Sequence, residues 1–252
     1  MTWLLDLDGV LWLSGRPIPG AADAVRQLRE SGQEVVFFTN NSGPTVAEQL
    51  AALAAVGVDA AAHQVLTSGQ AAASMLGPGT RAAVVGGEGI AEALEARGIA
   101  VVPAGAGPDA VVVGRTTDLS YERLSTAASA IREGARFLAT NTDATMPTPD
   151  GPVPGAGAIV AFLQVASGVE PEVAGKPASP AADLVRARVG TVDVSVGDRP
   201  DTDGLFAQLT KSRFALVLSG VTGEGDLPVD PEPDLVAADL ADVVARVLGQ
   251  AR

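Results

Sequence analysis

Trp3-Leu4-Leu5-Asp6-Leu7-Asp8-Gly9-Val10-Leu11 is the stretch on which the fold turns. Apolar residues that stop at two aspartates and a glycine describe a buried strand carrying acids at its C-terminal end. Outward from it, Gly20 to Glu30 sets Ala21, Ala24, Val25 and Leu28 at helical spacing. Val35-Val36-Phe37-Phe38 is a second buried strand, followed by Thr39-Asn40-Asn41-Ser42-Gly43-Pro44 and a helix expected over 45–56. Strand, helix, strand, helix implies parallel pairing with right-handed crossovers, the α/β class. The rhythm returns near the end, with a helix over 178–188, a strand over 192–196, acids from Asp198 to Asp203, a strand over 214–218 and a helix over 238–248. Between the two lies a second αβ set, with strands near 82–85, 99–102, 110–113 and 136–139 and helices near 90–97 and 121–133. Pro78-Gly79 and Val169-Glu170-Pro171 suit hinges. The expected organisation is therefore a discontinuous core, 1–77 plus 172–252, with an inserted domain over 78–171.

Composition excludes much chemistry. The 252 residues include no Cys and one His, so thiolate nucleophiles, disulfides and multi-histidine metal sites are ruled out. That one histidine, His63, sits in an alanine-rich stretch, and no G-x-S-x-G elbow accompanies it. Against 17 Lys+Arg stand 30 Asp+Glu, a net charge of −13 that repels nucleic acid and anionic membranes. The hydrophobic fraction of 47% includes 45 alanines, which favour helices more than they add buried area. No apolar run approaches the roughly 18 residues of a membrane span, and Asp6 and Asp8 interrupt the apolar start, so a cytoplasmic protein is expected.

Ligands of open parallel sheets bind at the C-terminal strand ends, near the point where strand order reverses. Three such ends carry polar clusters: Asp6/Asp8, Thr39/Asn40/Asn41 and Asp198/Asp203. Like charges as close as Asp6 and Asp8 are stabilised by a divalent cation or by a retained proton, the setting for acid/base and nucleophilic work. Arginines outnumber lysines 15 to 2, so Lys176 stands where a basic side chain is usually Arg. A compact ammonium suits a crowded anion site. Val84-Val85-Gly86-Gly87-Glu88-Gly89 mimics a dinucleotide fingerprint but lacks its third glycine, and is expected to be a tight turn. Gly155-Ala156-Gly157-Ala158 opens an apolar helix.

Asp-Leu-Asp-Gly-Val-Leu at 6–11 resembles motif I of the haloacid dehalogenase-like (HAD) phosphatases. Thr39-Asn40-Asn41-Ser42 is similar to their motif II, Gly175-Lys176-Pro177 to motif III, and Gly197-Asp198-Arg199-Pro200-Asp201-Thr202-Asp203 to motif IV. The long interval between motifs II and III, and Leu216-Val217-Leu218-Ser219-Gly220-Val221-Thr222 later, resemble subfamily IIA. The resemblance spans the whole chain and implies a Rossmann-like core with an inserted α/β C2-type cap. Departures from the pattern are Pro200 and Gly204, where Leu and Ile are usual, and Lys211-Ser212, where a helix-ending Gly is common.

The resemblance also implies roles. Asp6 is expected to be the nucleophile, forming an aspartyl phosphate, and Asp8 the general acid and base. Mg2+ is expected on the Asp6 carboxylate, the Asp8 main-chain carbonyl and Asp198, with Asp203 behind them. Thr39 with the backbone N–H of Asn40 or Asn41 is expected at the phosphoryl oxygens, and Lys176 at the phosphate charge. The cap segment with Asn141, Asp143 and Met146 is expected near the substrate. A histidine is expected near Met146 in members acting on pyridoxal phosphate, so this departure speaks against that substrate. The implied activity is Mg2+-dependent hydrolysis of a small phosphorylated metabolite of nucleotide, sugar or glycerol/glycolate phosphate type. A homodimer through the cap would be ordinary for the subfamily. The competing expectation is a catalytically silent phospholigand-binding protein of the same fold.

Overall fold

Period-two alternation in the first strand, Thr2–Leu5, sends Trp3 and Leu5 to one face and Leu4 to the other. All three are buried, so the strand belongs inside a sheet covered on both sides. In the computed structural model, which describes residues 1–148 and 151–249, that sheet has six parallel strands. Their order is Leu235–Ala237, Arg213–Val217, Val194–Gly197, Thr2–Leu5, Glu34–Thr39, Val65–Thr67. The chain runs outward from Thr2–Leu5 through Glu34–Thr39 to Val65–Thr67, then resumes on the opposite side with Val194–Gly197. Strand order thus reverses between Thr2–Leu5 and Val194–Gly197, which opens a crevice at their C-terminal ends.

Trp3, Leu5, Val35 and Phe37 pack against the helices Ala21–Glu30 and Leu240–Gly249. On the other face, Leu4, Val36, Phe38 and Leu66 meet the helices Ser68–Ser74 and Ser179–Val189. Burying each large side chain contributes about 1.5–3 kcal/mol, which stabilises a sheet whose ends are crowded with charge. The second cluster continues without a break through Ile90, Leu94, Ala110, Val112 and Leu138 into a second parallel sheet. Ala71, Ala72 and Ala73 lie in the shared layer, where small side chains let the two units approach closely.

The second sheet has the order Glu172–Val173, Arg136–Ala139, Ala110–Val113, Arg81–Val85, Ala100–Val101, all parallel. Its far face carries the helices Tyr121–Arg132 and Ala156–Ser167. The edge strand Glu172–Val173 is tied to its neighbour by Arg136 Nε and Nη2, which donate to the two Glu172 carboxylate oxygens at 3.0 and 2.7 Å. Several short elements carry no pattern long enough to be expected from sequence: Val65–Thr67, Leu235–Ala237, Glu172–Val173, and the hairpins Trp12–Leu13 with Arg16–Pro17 and Thr145–Met146 with Val153–Pro154. Among the described residues, no helix is long and apolar enough to cross a membrane.

Candidate active site

Asp6 is the first residue beyond the central strand, and its N–H donates to Val196 O at 2.9 Å, which keeps it in register with the neighbouring strand. The chain then turns tightly, with Leu7 O accepting from the N–H groups of Val10 and Leu11. Gly9 closes this turn at φ +85°, and a Cβ there would collide with the Asp198 carboxylate, so only glycine fits. The turn brings Trp12 back to Asp8, whose Oδ1 accepts the indole N–H at 3.0 Å. Burial pushes the Asp8 carboxyl above its ordinary value, against the lowering effect of Trp12, Lys176 and Arg115.

Lys176 arrives from the other unit, just past the edge strand Glu172–Val173. Asn40 clamps its backbone, with Oδ1 accepting the Lys176 N–H at 2.9 Å and Nδ2 donating to the Lys176 O at 3.0 Å. The ammonium, 5% exposed, donates to Asp6 Oδ1 at 2.7 Å, Asp203 Oδ1 at 2.6 Å and Phe38 O at 3.3 Å. These contacts satisfy all three of its donors. Burial works against the charged form, yet Asp203 and Asp6 outweigh it and hold the ammonium above the ordinary lysine range. The Asp6 carboxyl is itself raised by burial and by Asp203 and Asp198, a surplus of negative charge that one lysine does not neutralise.

Asp198 follows the strand Val194–Gly197, directly beside Asp6 in the sheet. Its Oδ2 accepts the Val221 N–H at 2.6 Å, and burial together with Asp203 pushes its carboxyl up to about 7. A π-helical turn, Pro200–Gly204, then brings Asp203 back under the strand end, with Asp203 Oδ2 accepting the Arg199 N–H at 3.2 Å. Gly197 and Gly220 make room, since a Cβ at either would overlap Asp203 or Asp198. Carboxylate oxygens of Asp6, Asp198 and Asp203 lie within 4.8 Å of one another. Among the described residues, no donor reaches Asp6 Oδ2 or Asp198 Oδ1. Anionic oxygens without a donor, in an all-oxygen set, fit a hard divalent cation.

The loop after Glu34–Thr39 forms the next wall. Thr39 is buried, and its Oγ1 accepts the Asn41 N–H at 3.0 Å. This loop is keyed to the second unit by the pairs Ser42 Oγ to Thr140 Oγ1 at 2.9 Å, Gly89 N–H to Gly43 O at 3.0 Å and Asn141 Nδ2 to Asn40 O at 2.7 Å. A Cβ at Gly87 or Gly89 would overlap the Gly43–Pro44 backbone, so the glycine-rich turn serves close backbone approach.

One cleft is lined by Asp6, Asp8, Thr39, Asn40, Asn41, Lys176, Asp198 and Asp203, and also by Asn141, Asp143 and Met146 from the second unit. Asn141 is spent on the seam with Asn40, whereas the half-buried Asp143 carboxyl is raised by desolvation and receives only a long contact from Asn40 Nδ2, 3.4 Å. His63 is exposed and lies outside this cleft. Arg115, Arg199, Thr202 and Val221 complete the lining. Of these, Arg115 was legible in principle, because Val113-Gly114-Arg115 places a cation just past a strand's C-terminal end. Val221 acts through its backbone N–H, which no side-chain pattern announces.

Residues 3–100 match the family model described as haloacid dehalogenase-like hydrolase, and residues 173–243 match a second, HAD-hydrolase-like model. The chain is 36% identical over 257 residues to the dihydroxyacetone phosphatase of Corynebacterium glutamicum, covering 96% of this chain and 90% of the relative. It is 39% identical over 232 residues to the D-glycerol 3-phosphate phosphatase of Mycobacterium tuberculosis, covering 88% of this chain and 64% of that longer protein. The crystal structure of glycerol phosphate phosphatase from M. tuberculosis in complex with magnesium superimposes with a TM-score of 0.89 at 36% identity, covering 96% of this chain and 75% of that one.

Proposed function

The chain belongs to the haloacid dehalogenase-like hydrolases, and on that footing we propose that it is a Mg2+-dependent phosphatase of small phosphomonoesters working through an aspartyl phosphate. The observation that carries the reading is the buried Lys176 ammonium, held by Asp6 and Asp203 beside Asp8 and Asp198 at the sheet's switch point.

In this reading an Asp6 carboxylate oxygen forms the bond to phosphorus as the bond to the leaving oxygen breaks. Asp8 gives that oxygen its proton, a role helped by the burial that keeps its carboxyl protonated more readily than usual. Water then attacks the aspartyl phosphate, Asp8 takes the water's proton, and Asp6 is released as a carboxylate with inorganic phosphate. Trp12 fixes the Asp8 carboxylate for both transfers. The Thr39 hydroxyl hydrogen is free to meet a phosphoryl oxygen because its oxygen already accepts the Asn41 N–H, and Asn40 both offers its own N–H and fixes the Lys176 backbone. Lys176 offsets the charge of Asp6 and phosphate together.

Asp6, Asp198 and the Asp8 main-chain carbonyl would hold the Mg2+, with Asp203 behind them and bound to Lys176. The ion supplies positive charge that screens the phosphoryl oxygens from the carboxylates.

Segment 78–171 acts as a cap whose Asn141, Asp143 and Met146 border the leaving group. Small phosphorylated metabolites are the substrates, a class that the relatives named for D-glycerol 3-phosphate and dihydroxyacetone support. The net charge of −13 argues against nucleic acid and membrane partners and suits a cytoplasmic enzyme.

Hydrolysis of p-nitrophenyl phosphate with Mg2+ tests the reading. The wild-type chain turns over, and Asp6→Asn lowers kcat by about 10^3-fold or more with the melting temperature retained. Substantial turnover in that variant would sink the covalent route. No turnover by the wild-type chain with any divalent ion would instead favour a silent phospholigand-binding protein.

A further inference from the structure

Among the described residues, three cationic side chains line the cleft, and two of them are committed. Lys176 is bound to Asp6 and Asp203, and Arg199 lies against both oxygens of Asp201 at 3.4 Å. Among the described residues, the Arg115 guanidinium has neither a hydrogen bond nor a carboxylate partner, although several carboxylates border the same cleft. A half-buried guanidinium has five donors to satisfy, and nothing else in the lining uses them.

The position of Arg115 is fixed by its backbone. It follows the strand Ala110–Val113 and Gly114, where a Cβ would come within 2.6–2.8 Å of Ser42 Oγ, Ile90 Cδ1 and Thr140 Oγ1. The Arg115 carbonyl oxygen in turn lies 3.6 Å from where a Cβ would stand on Gly43. The Arg115 backbone therefore lies against the loop that bears Asn40 and Asn41, which fixes where the side chain leaves the main chain at the cleft. Arg115 comes from the second unit, as do Asn141, Asp143 and Met146 in the same lining, whereas Lys176 is bound to Asp6 and Asp203 at the strand ends of the first sheet. The phosphate end thus has its own cation, and Arg115 stands on the side of the second unit, where the leaving alcohol departs.

We propose that Arg115 binds an anionic group on the leaving alcohol, a carboxylate, so that phosphorylated hydroxy acids are preferred over phosphates of neutral polyols. The inference rests on the phosphatase reading above. A guanidinium presents two parallel N–H groups that match a carboxylate edge to edge, which gives orientation as well as attraction. A second phosphate shares this anionic chemistry, and the choice of substrates separates the two.

The test compares kcat/KM for 2-phosphoglycolate, 2-hydroxyethyl phosphate and ethylene glycol bisphosphate, which share the phosphoryl–O–CH2 unit and differ in the distal group. Wild-type protein prefers the carboxylate over the hydroxyl by about 10- to 100-fold, chiefly through KM. Arg115→Gln removes that preference, and Arg115→Lys restores part of it, because an ammonium keeps the charge without the fork. Equal wild-type kcat/KM for carboxylate and hydroxyl overturns the proposal. So does an equal loss on all three substrates in Arg115→Gln, which would put Arg115 on the transferred phosphate. A preference for the bisphosphate above the carboxylate overturns it as well. Turnover of p-nitrophenyl phosphate without a carboxylate preference rejects the Arg115 inference alone, whereas no turnover of any phosphomonoester rejects the phosphatase reading with it.

Discussion

Asp198 shows how a single side chain records the electrostatic stress of the site. Buried next to Asp203, its carboxyl titrates near 7, far above the ordinary value of 3.8. A group whose pKa is higher in the folded chain binds more protons there than in the unfolded chain between the two values. Stability therefore falls as pH rises through that window. Asp6, Asp8 and Asp143 are shifted in the same direction, by burial first, and add to the effect. Lys176 is raised as well, but its stabilisation is fully present below the ordinary lysine range and is lost only at strongly alkaline pH, outside this window. Without divalent ions, the melting temperature should accordingly fall between about pH 4 and about pH 7. Self-repulsion from the net charge of −13 works the same way, so the decisive comparison is Asp198→Asn, which should flatten the slope. An unchanged slope in thermal denaturation of that variant would show that Asp198 is not under this stress.

Elements set the site by where they end. The strands Thr2–Leu5, Glu34–Thr39 and Val194–Gly197 were legible as apolar runs, and the acids and hydroxyls past their ends were legible with them. The seam between the two units was not. Gly86-Gly87-Glu88-Gly89 read as a tight turn opening a helix, and the helix Glu88–Glu95 does begin there. What sequence could not say is that Gly87 and Gly89 lie against the Gly43–Pro44 backbone, because nothing local marks which surface a glycine will touch. Glu92 of that helix then accepts the Val46 N–H at 2.8 Å, supplementing the Thr45–Glu48 capping box of the helix Val46–Ala55. Gly87→Ala should push the two backbones apart. The expected cost is about 1–3 kcal/mol in urea denaturation, as for other forced overpacking. It should also lower kcat on every phosphomonoester alike, since Asn40 and Asn41 shift with the loop. A variant with normal stability and turnover would mean that the seam does not hold the site in place.

For the molecule as a whole, the two units share one apolar layer and one cleft, so a cation in that cleft stabilises the entire chain. A ligand that binds only the folded state raises stability by about 2.7 kcal/mol at 100 times its dissociation constant. Mg2+ should therefore raise the melting temperature and EDTA reverse the rise, with Asp198→Asn abolishing the response; a wild-type melting temperature indifferent to both would count against the metal. The sequence by itself determined the α/β alternation, the strand-end carboxylates and the surplus of acid that calls for a counter-charge, because these depend on residue type and short-range order along the chain. Only the tertiary structure decided that Lys176 spans Asp6 and Asp203, that Val221 braces Asp198 by its backbone, and that Arg115 reaches the cleft without a partner among the described residues. Those contacts join residues up to 170 positions apart. They are fixed by how two sheets pack across a common layer, and such long-range packing leaves no periodicity in the sequence from which to read it.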